Sequence, residues 1–584
     1  MSAAELSQPI EKGKSETPSS PRSIESRLKR KTSGDRLFLR CVIVIFIAAV
    51  VWAWRHIDMS FSGLIAGFGD VRNLLGRMLP PRFSDLDDAI RLGFETLWMA
   101  VIGTTIAVVL SFPIALGAAR NTTPHPAVMA VCRGIIVLSR AVPDLIFAAI
   151  FVRAIGIGVL PGVIALGLHS IGMIGKLFAD AIEQTDKSPR EAVTSVGASK
   201  WQAITTSVIP QAMPSFISTI LYRLDINLRS SSVLGIVGAG GIGFLLQANL
   251  RSLQYDEALG VVTVVFVLIT VMEFFSAAIR ATLLGGDRTL VGRSIPRASL
   301  GAKLFSRLST RSSDSATSSQ RFNRDTVRPP WVGELRMKTL YGVALFILIV
   351  VAFRSVSLNP GELLGAFPDV WKVITRMFPP DFTTARQPII DGIIESVAAA
   401  LVATFMGALI SIPLGLMAAR NVAFNKFVYL LSRLFLLFVR GIPELIIAVI
   451  FIAAIGLGPV PGTLALAFGT SGFLAKLVAD AVEEINPTPR EAVFAVGATR
   501  NQEIATSVVP QAIPAIVSNL LYALDINLRT STILGIVGGG GIGFILFNAL
   551  RVLKLQTVGA VLITIFVVVY AIELLSGWIR KKIL

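Results

Sequence analysis

Two segments of the sequence place ionisable residues inside long apolar stretches, where a charge requires a chemical reason. In LDINLRSSSVLG, Asp225 precedes Arg229 by four residues, and LDINLRTSTILG repeats the arrangement with Asp525 and Arg529. Arginine and hydroxyl groups bind compact oxyanions, but this spacing also lets the two charges neutralise each other on one helical face. Both interpretations stay open. They define a candidate substrate pathway or gate of Asp225, Asn227, Arg229, Ser231, Asp525, Asn527, Arg529 and Ser531.

A glycine-rich run follows each of these segments, GAGGIG at 238–243 and GGGGIG at 538–543. The G-x-G-x-x-G spacing is that of a dinucleotide-binding turn, but such a turn needs a soluble βαβ unit around it. Here it follows an apolar segment long enough to cross a membrane, so we expect close helix approach or a helix break. The sequence also lacks a phosphate loop ending in Gly-Lys-Ser/Thr, and Cys41 and Cys132 lack metal-ligand spacing. We therefore expect no enzymatic activity, cofactor or metal on this chain.

A polar loop, SPREAVTSVGASKWQAITTSVIP at 188–210, interrupts the apolar segments. Its lysines and arginines favour the cytoplasmic side of a membrane. Ser188 and Pro189 predict a helix start, with Ser188 as N-cap, and Gly197 predicts the end of a short helix. Pro210 marks the start of the next apolar segment. The loop occurs a second time with PTPREAVFAVGATRNQEIATSVVP at 487–510.

Composition indicates a membrane protein. Of 584 residues, 53% are hydrophobic and 16% are charged, and the mean hydropathy is +0.71. The net charge of +17 is concentrated in the N-terminal tail and in the central stretch 288–338. This distribution follows the positive-inside rule and argues against nucleic-acid binding. We expect an all-α protein with about 12 transmembrane helices.

The chain is one unit written twice, since most motifs recur 300 residues later. Six crossings per copy return the chain to the cytoplasm and give the two copies one orientation. The predicted organisation is a disordered cytoplasmic tail at 1–36, a first transmembrane domain at 37–284, a flexible basic cytoplasmic linker at 285–335 and a second transmembrane domain at 336–584. Pro143 and Pro443 each sit inside an apolar segment and predict helix kinks that could serve as hinges.

The repeated polar loop resembles the EAA loop of ABC importer permeases. The residues that carry the resemblance are Glu191, Ala192, Gly197 and Pro210, with Glu491, Ala492, Gly497 and Pro510 in the second copy. The resemblance implies a type I importer permease fold. It also implies that each loop is a coupling helix docked on one of two separate ATPase subunits, which bind and use the ATP.

The LDINLR segments with their glycine runs resemble, more narrowly, the phosphonate importer permease family. This resemblance implies uptake of phosphonates or phosphite-type oxyanions across the bacterial inner membrane, with an extracytoplasmic phosphonate-binding protein as partner and cytoplasmic chain termini. Two alternatives stay open. One is an importer of another small solute such as phosphate or methionine, and the other is a secondary transporter driven by an ion gradient.

Overall fold

The computed structural model describes residues 33–283, 333–356 and 360–583, and all regular secondary structure within these ranges is helical. The helices of the first copy are α1 Ser33–His56, α2 Phe61–Met78, α3 Leu86–Ala118, α4 Pro126–Ala141, α5 Asp144–Ile155, α6 Val159–Glu183, α7 Ser188–Ser195, α8 Lys200–Val237, α9 Ile242–Arg251 and α10 Tyr255–Leu283. The helices of the second copy are α11 Gly333–Ser355, α12 Pro360–Arg376, α13 Arg386–Ala418, α14 Lys426–Gly441, α15 Glu444–Ile455, α16 Pro459–Glu483, α17 Pro487–Ala495, α18 Arg500–Val537, α19 Gly541–Arg551 and α20 Leu555–Ile583.

The described part of the chain has seven helices long and apolar enough to cross a membrane, or up to ten if each bent helix pair is one crossing. These fall short of the twelve crossings predicted. The two missing crossings correspond to α1 and α11, whose described apolar parts, Val44–His56 and Gly342–Ser355, are shorter than a membrane crossing requires. The all-α class and the two repeats are confirmed. Most of the predicted tail and linker lies outside the described residues, so those boundaries stay predictions.

Two of the predicted crossings are sharply bent. Helices α4 and α5 meet at 87°, and α14 and α15 meet at 79°. The bends lie at Pro143 and Pro443, which lack the N–H that a continuous helix would use. After the first bend, Asp144 Oδ1 accepts a hydrogen bond from the Leu145 N–H at 2.9 Å. The chain thus turns within the membrane region at the positions where the sequence predicts kinks.

The two copies are intertwined. Helix α1 of the first copy packs on α13 of the second, and α11 packs on α3 in return. Helices α10 and α20 reach α14 and α4 of the opposite copy. One continuous apolar core therefore contains residues from both copies, such as Leu166 and Leu466. Because the copies share a core, moving one copy against the other requires the side chains at their boundary to repack.

Candidate functional site

The repeated polar loops form short helices, α7 and α17, and neither helix has a buried residue. Glu191 and Ala192 are exposed, as are Glu491 and Ala492. The Ser188 backbone N–H and hydroxyl both donate to Asp186 at 3.0 Å. The predicted N-cap is therefore wrong by one residue, because Ser188 is already helical and Lys187 precedes it. The two Ser188 donors also lower the pKa of Asp186 from its ordinary value.

A turn at glycine ends each of these helices. Gly197 has φ +89° and Gly497 has φ +83°, in the left-handed region that favours glycine. Ser199 and Thr499 then begin the next helix with capping boxes. A π-helical segment leads into the long apolar helix at Pro210 and again at Pro510. In each copy the four residues named for the loop therefore lie on one continuous segment, the protrusion, which is 188–210 in the first copy and 487–510 in the second.

Arginine contacts join the membrane helices beside the protrusions and link the first protrusion to the loop after α3. Arg133 pairs with Glu183 at 2.9 Å and Arg433 with Glu483 at 2.8 Å, tying α4 to α6 and α14 to α16. Arg190 donates to the carbonyl oxygen of Asn121. In the second copy Arg500 makes the comparable contacts, donating to the carbonyl oxygens of Val422 and Phe424.

The two protrusions differ in the aromatic side chain that they expose. In the first copy it is Trp201, 60% exposed, and in the second it is Phe494, 67% exposed. The matching positions hold Asn501 and Thr194. Each protrusion therefore presents one exposed aromatic side chain, after the glycine turn in the first copy and before it in the second.

The first intramembrane cluster centres on a glutamate. Glu273 of α10 lies 3.6 Å from Arg229 of α8 and 3.9 Å from Arg440 of α14, so it contacts both copies. Asp225 accepts a hydrogen bond from the Ser276 hydroxyl at 2.7 Å. In this copy Arg229 therefore forms an ion pair with Glu273 on a different helix, whereas the sequence predicted a pair with Asp225 on the same helix.

The second cluster has the same plan with one tighter contact. Arg529 pairs with Asp525 at 2.7 Å, which confirms the predicted local pair in this copy. Arg529 also lies 3.6 Å from Glu573 of α20, and Glu573 lies 3.2 Å from Arg140 of α4. Arg140 and Arg440, flanking the two bends, thus form ion pairs across the boundary between the copies.

The other residues of the predicted pathway are buried. The Asn227 amide donates to the Thr104 hydroxyl at 2.8 Å, and its oxygen accepts from Ser170 at 3.1 Å. Asn527 forms the corresponding two bonds, each 2.8 Å. Hydrogen bonds between membrane helices contribute about 0.6 kcal/mol each on average. Asn227 and Asn527 therefore join α8 and α18 to their neighbours, as does Ser231 by donating to the Thr96 carbonyl, and Ser531 is buried nearby on α18.

The glycine runs join helices and make close backbone contacts, as expected. Helices Lys200–Val237 and Ile242–Arg251 meet at 46°. A side chain at Gly162 would lie 2.8 Å from the Ala239 carbonyl, and one at Gly462 would lie 2.9 Å from the Gly539 carbonyl. No strand precedes either run in the described ranges, so the dinucleotide-type arrangement of strand and turn is absent from this part of the molecule.

Sequence reasoning gave Glu273 and Glu573 no partner. Along the chain, each glutamate lies 44 residues from the arginine of its own copy, Arg229 or Arg529 (273 − 229 and 573 − 529), and farther still from its arginine partner in the other copy. The only available signal was their recurrence at matching positions in apolar segments.

Family and relatives follow from comparison with known proteins. The model of the family described as binding-protein-dependent transport system inner membrane component matches residues 111–284 and 411–584. The chain belongs to this family. The permease is 49% identical over 541 residues to the phosphate-import permease protein PhnE of Mycolicibacterium smegmatis, covering 92% of this chain and 93% of that protein. Both copies therefore have counterparts in that relative.

Two further relatives match parts of the permease. The phosphite transport system permease protein PtxC of Stutzerimonas stutzeri is 43% identical over 239 residues, covering 41% of this chain and 87% of its own. The putative cryptic phosphonate transport system permease protein PhnE2 of Escherichia coli K12 is 40% identical over 117 residues, covering 20% of this chain and 96% of its own. The match of the family model to both copies confirms the transport family and the two repeats predicted from the sequence.

Proposed function

We propose that this permease imports a small phosphorus oxyanion, a phosphonate, phosphite or phosphate, through an ATP-driven importer. The observation that carries the substrate class is the 49% identity along both copies to a phosphate-import permease. The arginine clusters on α8 and α18 support it, because guanidinium groups bind compact oxyanions well. The named phosphite and phosphonate relatives agree with the same chemistry.

The proposed partners are two ATPase subunits on the inner side and a binding protein on the outer side. The exposed helices α7 and α17 support the first, because two equivalent ATPase subunits need two docking protrusions. Family membership supports the second. The ATP is bound by the ATPase subunits, and this chain is the membrane pathway.

Reconstituted uptake tests the proposal. The permease is placed in liposomes with its ATPase subunits and its binding protein, and uptake of radiolabelled phosphate, phosphite, methylphosphonate and methionine is measured. ATP-dependent uptake of one of the phosphorus compounds is expected. ATP-dependent uptake of methionine alone would contradict the substrate class. Uptake that stops on collapse of an ion gradient, with ATP still present, would favour a secondary transporter.

The proposed orientation puts the N-terminus, the linker and the C-terminus in the cytoplasm. The Lys and Arg excess in the tail and linker supports it. In a variant with Cys41 and Cys132 replaced by serine, Ser313→Cys is expected to resist an impermeant thiol reagent in intact cells. Ser84→Cys, in the exposed loop between α2 and α3, should react and serves as the control. Labelling at position 313 would show that the linker faces outward and would contradict the proposed orientation.

The exposed aromatics Trp201 and Phe494 are expected to anchor the ATPase subunits. Buried aromatic groups dominate many protein interfaces, and about 1.4 kcal/mol corresponds to tenfold in affinity. The double variant Trp201→Asn, Phe494→Thr takes at each position the residue of the other copy, so both substitutions suit the local fold. We expect at least about tenfold weaker ATPase binding, measured by titrating the purified ATPase onto permease in nanodiscs.

The matched control for these anchors is Phe367→Thr. Phe367 on α12 has the same 67% exposure as Phe494 but lies on the opposite side of the membrane in the proposed orientation. ATPase affinity should be unchanged in this variant. Equal affinities for the wild-type permease and the double variant would show that other residues of the protrusions form the contact.

A further inference from the structure

Two glutamates occupy equivalent positions between arginines of both copies. Glu273 lies between Arg229 of its own copy and Arg440 of the other, at 3.6 and 3.9 Å. Glu573 lies between Arg529 and Arg140, at 3.6 and 3.2 Å. Each carboxylate therefore sits where two guanidinium groups converge, and each links the two copies.

These contacts leave the arginines with unused hydrogen-bonding capacity. All four arginine–glutamate contacts exceed the usual length of a charged hydrogen bond, about 2.7–2.9 Å. The Nε atoms of Arg229 and Arg529 are buried without an acceptor, in both copies alike. By contrast, Arg529 reaches Asp525 at 2.7 Å, so a short contact is attainable in this region. An oxyanion with three oxygens could satisfy donors that one carboxylate leaves unused.

The clusters are also partly accessible. The arginine side chains are 21–26% exposed, and those of Glu273 and Glu573 are 26% and 34% exposed. Tyr222 and Tyr522, on α8 and α18, are exposed as well. A solute could therefore reach each pair of arginines from its exposed side.

We propose that Glu273 and Glu573 hold the place of the substrate's oxyanion. A phosphorus oxyanion arriving in the pathway displaces these carboxylates and takes over their arginines. The inference rests on the proposed function and deepens it by adding Arg140, Arg440 and the two glutamates to the site. No bond to phosphorus forms or breaks, since the exchange is one of ionic partners.

This exchange links substrate binding to movement of the copies. The Arg440–Glu273 and Arg140–Glu573 pairs join the copies directly, so an oxyanion that captures these arginines breaks two direct contacts between the copies. By linkage, breaking these contacts must strengthen oxyanion binding by the same factor. The carboxylates thus compete with the substrate for the same arginines.

Direct anion binding tests the proposal. The complete complex of permease and ATPase subunits, without binding protein, is placed in nanodiscs and titrated with methylphosphonate and with inorganic phosphate. The Glu273→Gln, Glu573→Gln variant lacks the competing charges and is expected to bind at least one of these anions about tenfold more tightly than the wild-type complex. The Glu95→Gln, Glu395→Gln variant removes two other membrane-level acids and should leave the affinity unchanged.

Several results would overturn the exchange. Equal or weaker anion binding by the glutamine variant would do so, even if its ATPase activity rises, because that pattern belongs to a purely structural latch. If the glutamine variant does not assemble, Glu273→Asp, Glu573→Asp decides the matter. Its shorter side chains should give a smaller gain in affinity, and no gain would contradict the proposal. Uptake by the wild-type permease distinguishes failure of the exchange from failure of the proposed function. If it transported no phosphorus oxyanion, the proposed function itself would be refuted.

Discussion

Aspartate at both Gly197 and Gly497 should reduce ATPase binding and substrate uptake by at least about tenfold. Both glycines have φ between +83° and +89°, where a side chain strains the backbone. A Cβ there would meet no atom within 4 Å, so the permease itself has room for it. The strain would displace the exposed helices α7 and α17, and the added charge would enter the proposed ATPase contact. Co-purification of the ATPase with the double variant measures the first effect, and liposome uptake measures the second.

Gly156 and Gly456 provide the matched control. Both have φ +107° and open space around a new Cβ, so substitution carries a comparable local strain. They lie at the opposite end of α6 and α16 from the protrusions. The Gly156→Asp, Gly456→Asp variant should therefore retain the ATPase. If the Gly197→Asp, Gly497→Asp variant retained the full amount of bound ATPase, the protrusions would not be the docking elements.

Local sequence patterns predicted the protrusions closely. The Pro, Glu and Gly spacing of 188–210 depends on helix starts, turns and exposure, and these are properties of neighbouring residues. The single error, the N-cap at Ser188, came from Asp186, which takes both Ser188 donors. Trp201 and Phe494 were not singled out, because their exposure depends on which face of the protrusion the membrane domain leaves open.

The intramembrane site was predicted only in part for a physical reason. Asp525 and Arg529 are four residues apart, so helical periodicity predicts their pairing. Glu573 and Arg140 are joined by the packing of α20 against α4 of the other copy, which no local pattern encodes. Asn227 was placed in the pathway by its proximity to Arg229 along the chain, whereas its side chain points into the packing between helices.

Replacing the four charges Asp225, Arg229, Asp525 and Arg529 by neutral residues should strongly reduce uptake and leave assembly intact. The variant is Asp225→Asn, Arg229→Gln, Asp525→Asn, Arg529→Gln. It leaves Glu273 with Arg440 and Glu573 with Arg140, so no remaining charge of the clusters loses every partner. The copies stay joined, but half of the arginines proposed to bind the oxyanion are gone. We expect uptake to fall more than about tenfold at normal membrane expression.

The single variant Arg529→Gln should behave differently and separates structure from transport. It removes the arginine with which Asp525 forms its ion pair, and an uncompensated charge inside the membrane is the costly state. Less assembled permease is therefore expected from this variant than from the quadruple one. Lys176→Gln, Asp180→Asn, Lys476→Gln, Asp480→Asn is the control, because it neutralises another pair of the same spacing in each copy, with Lys476 3.7 Å from Asp480. This control should retain most of the uptake. Near-normal uptake by the quadruple variant would mean that the arginines on α8 and α18 serve packing alone, and the oxyanion path would then have to run elsewhere between the two copies.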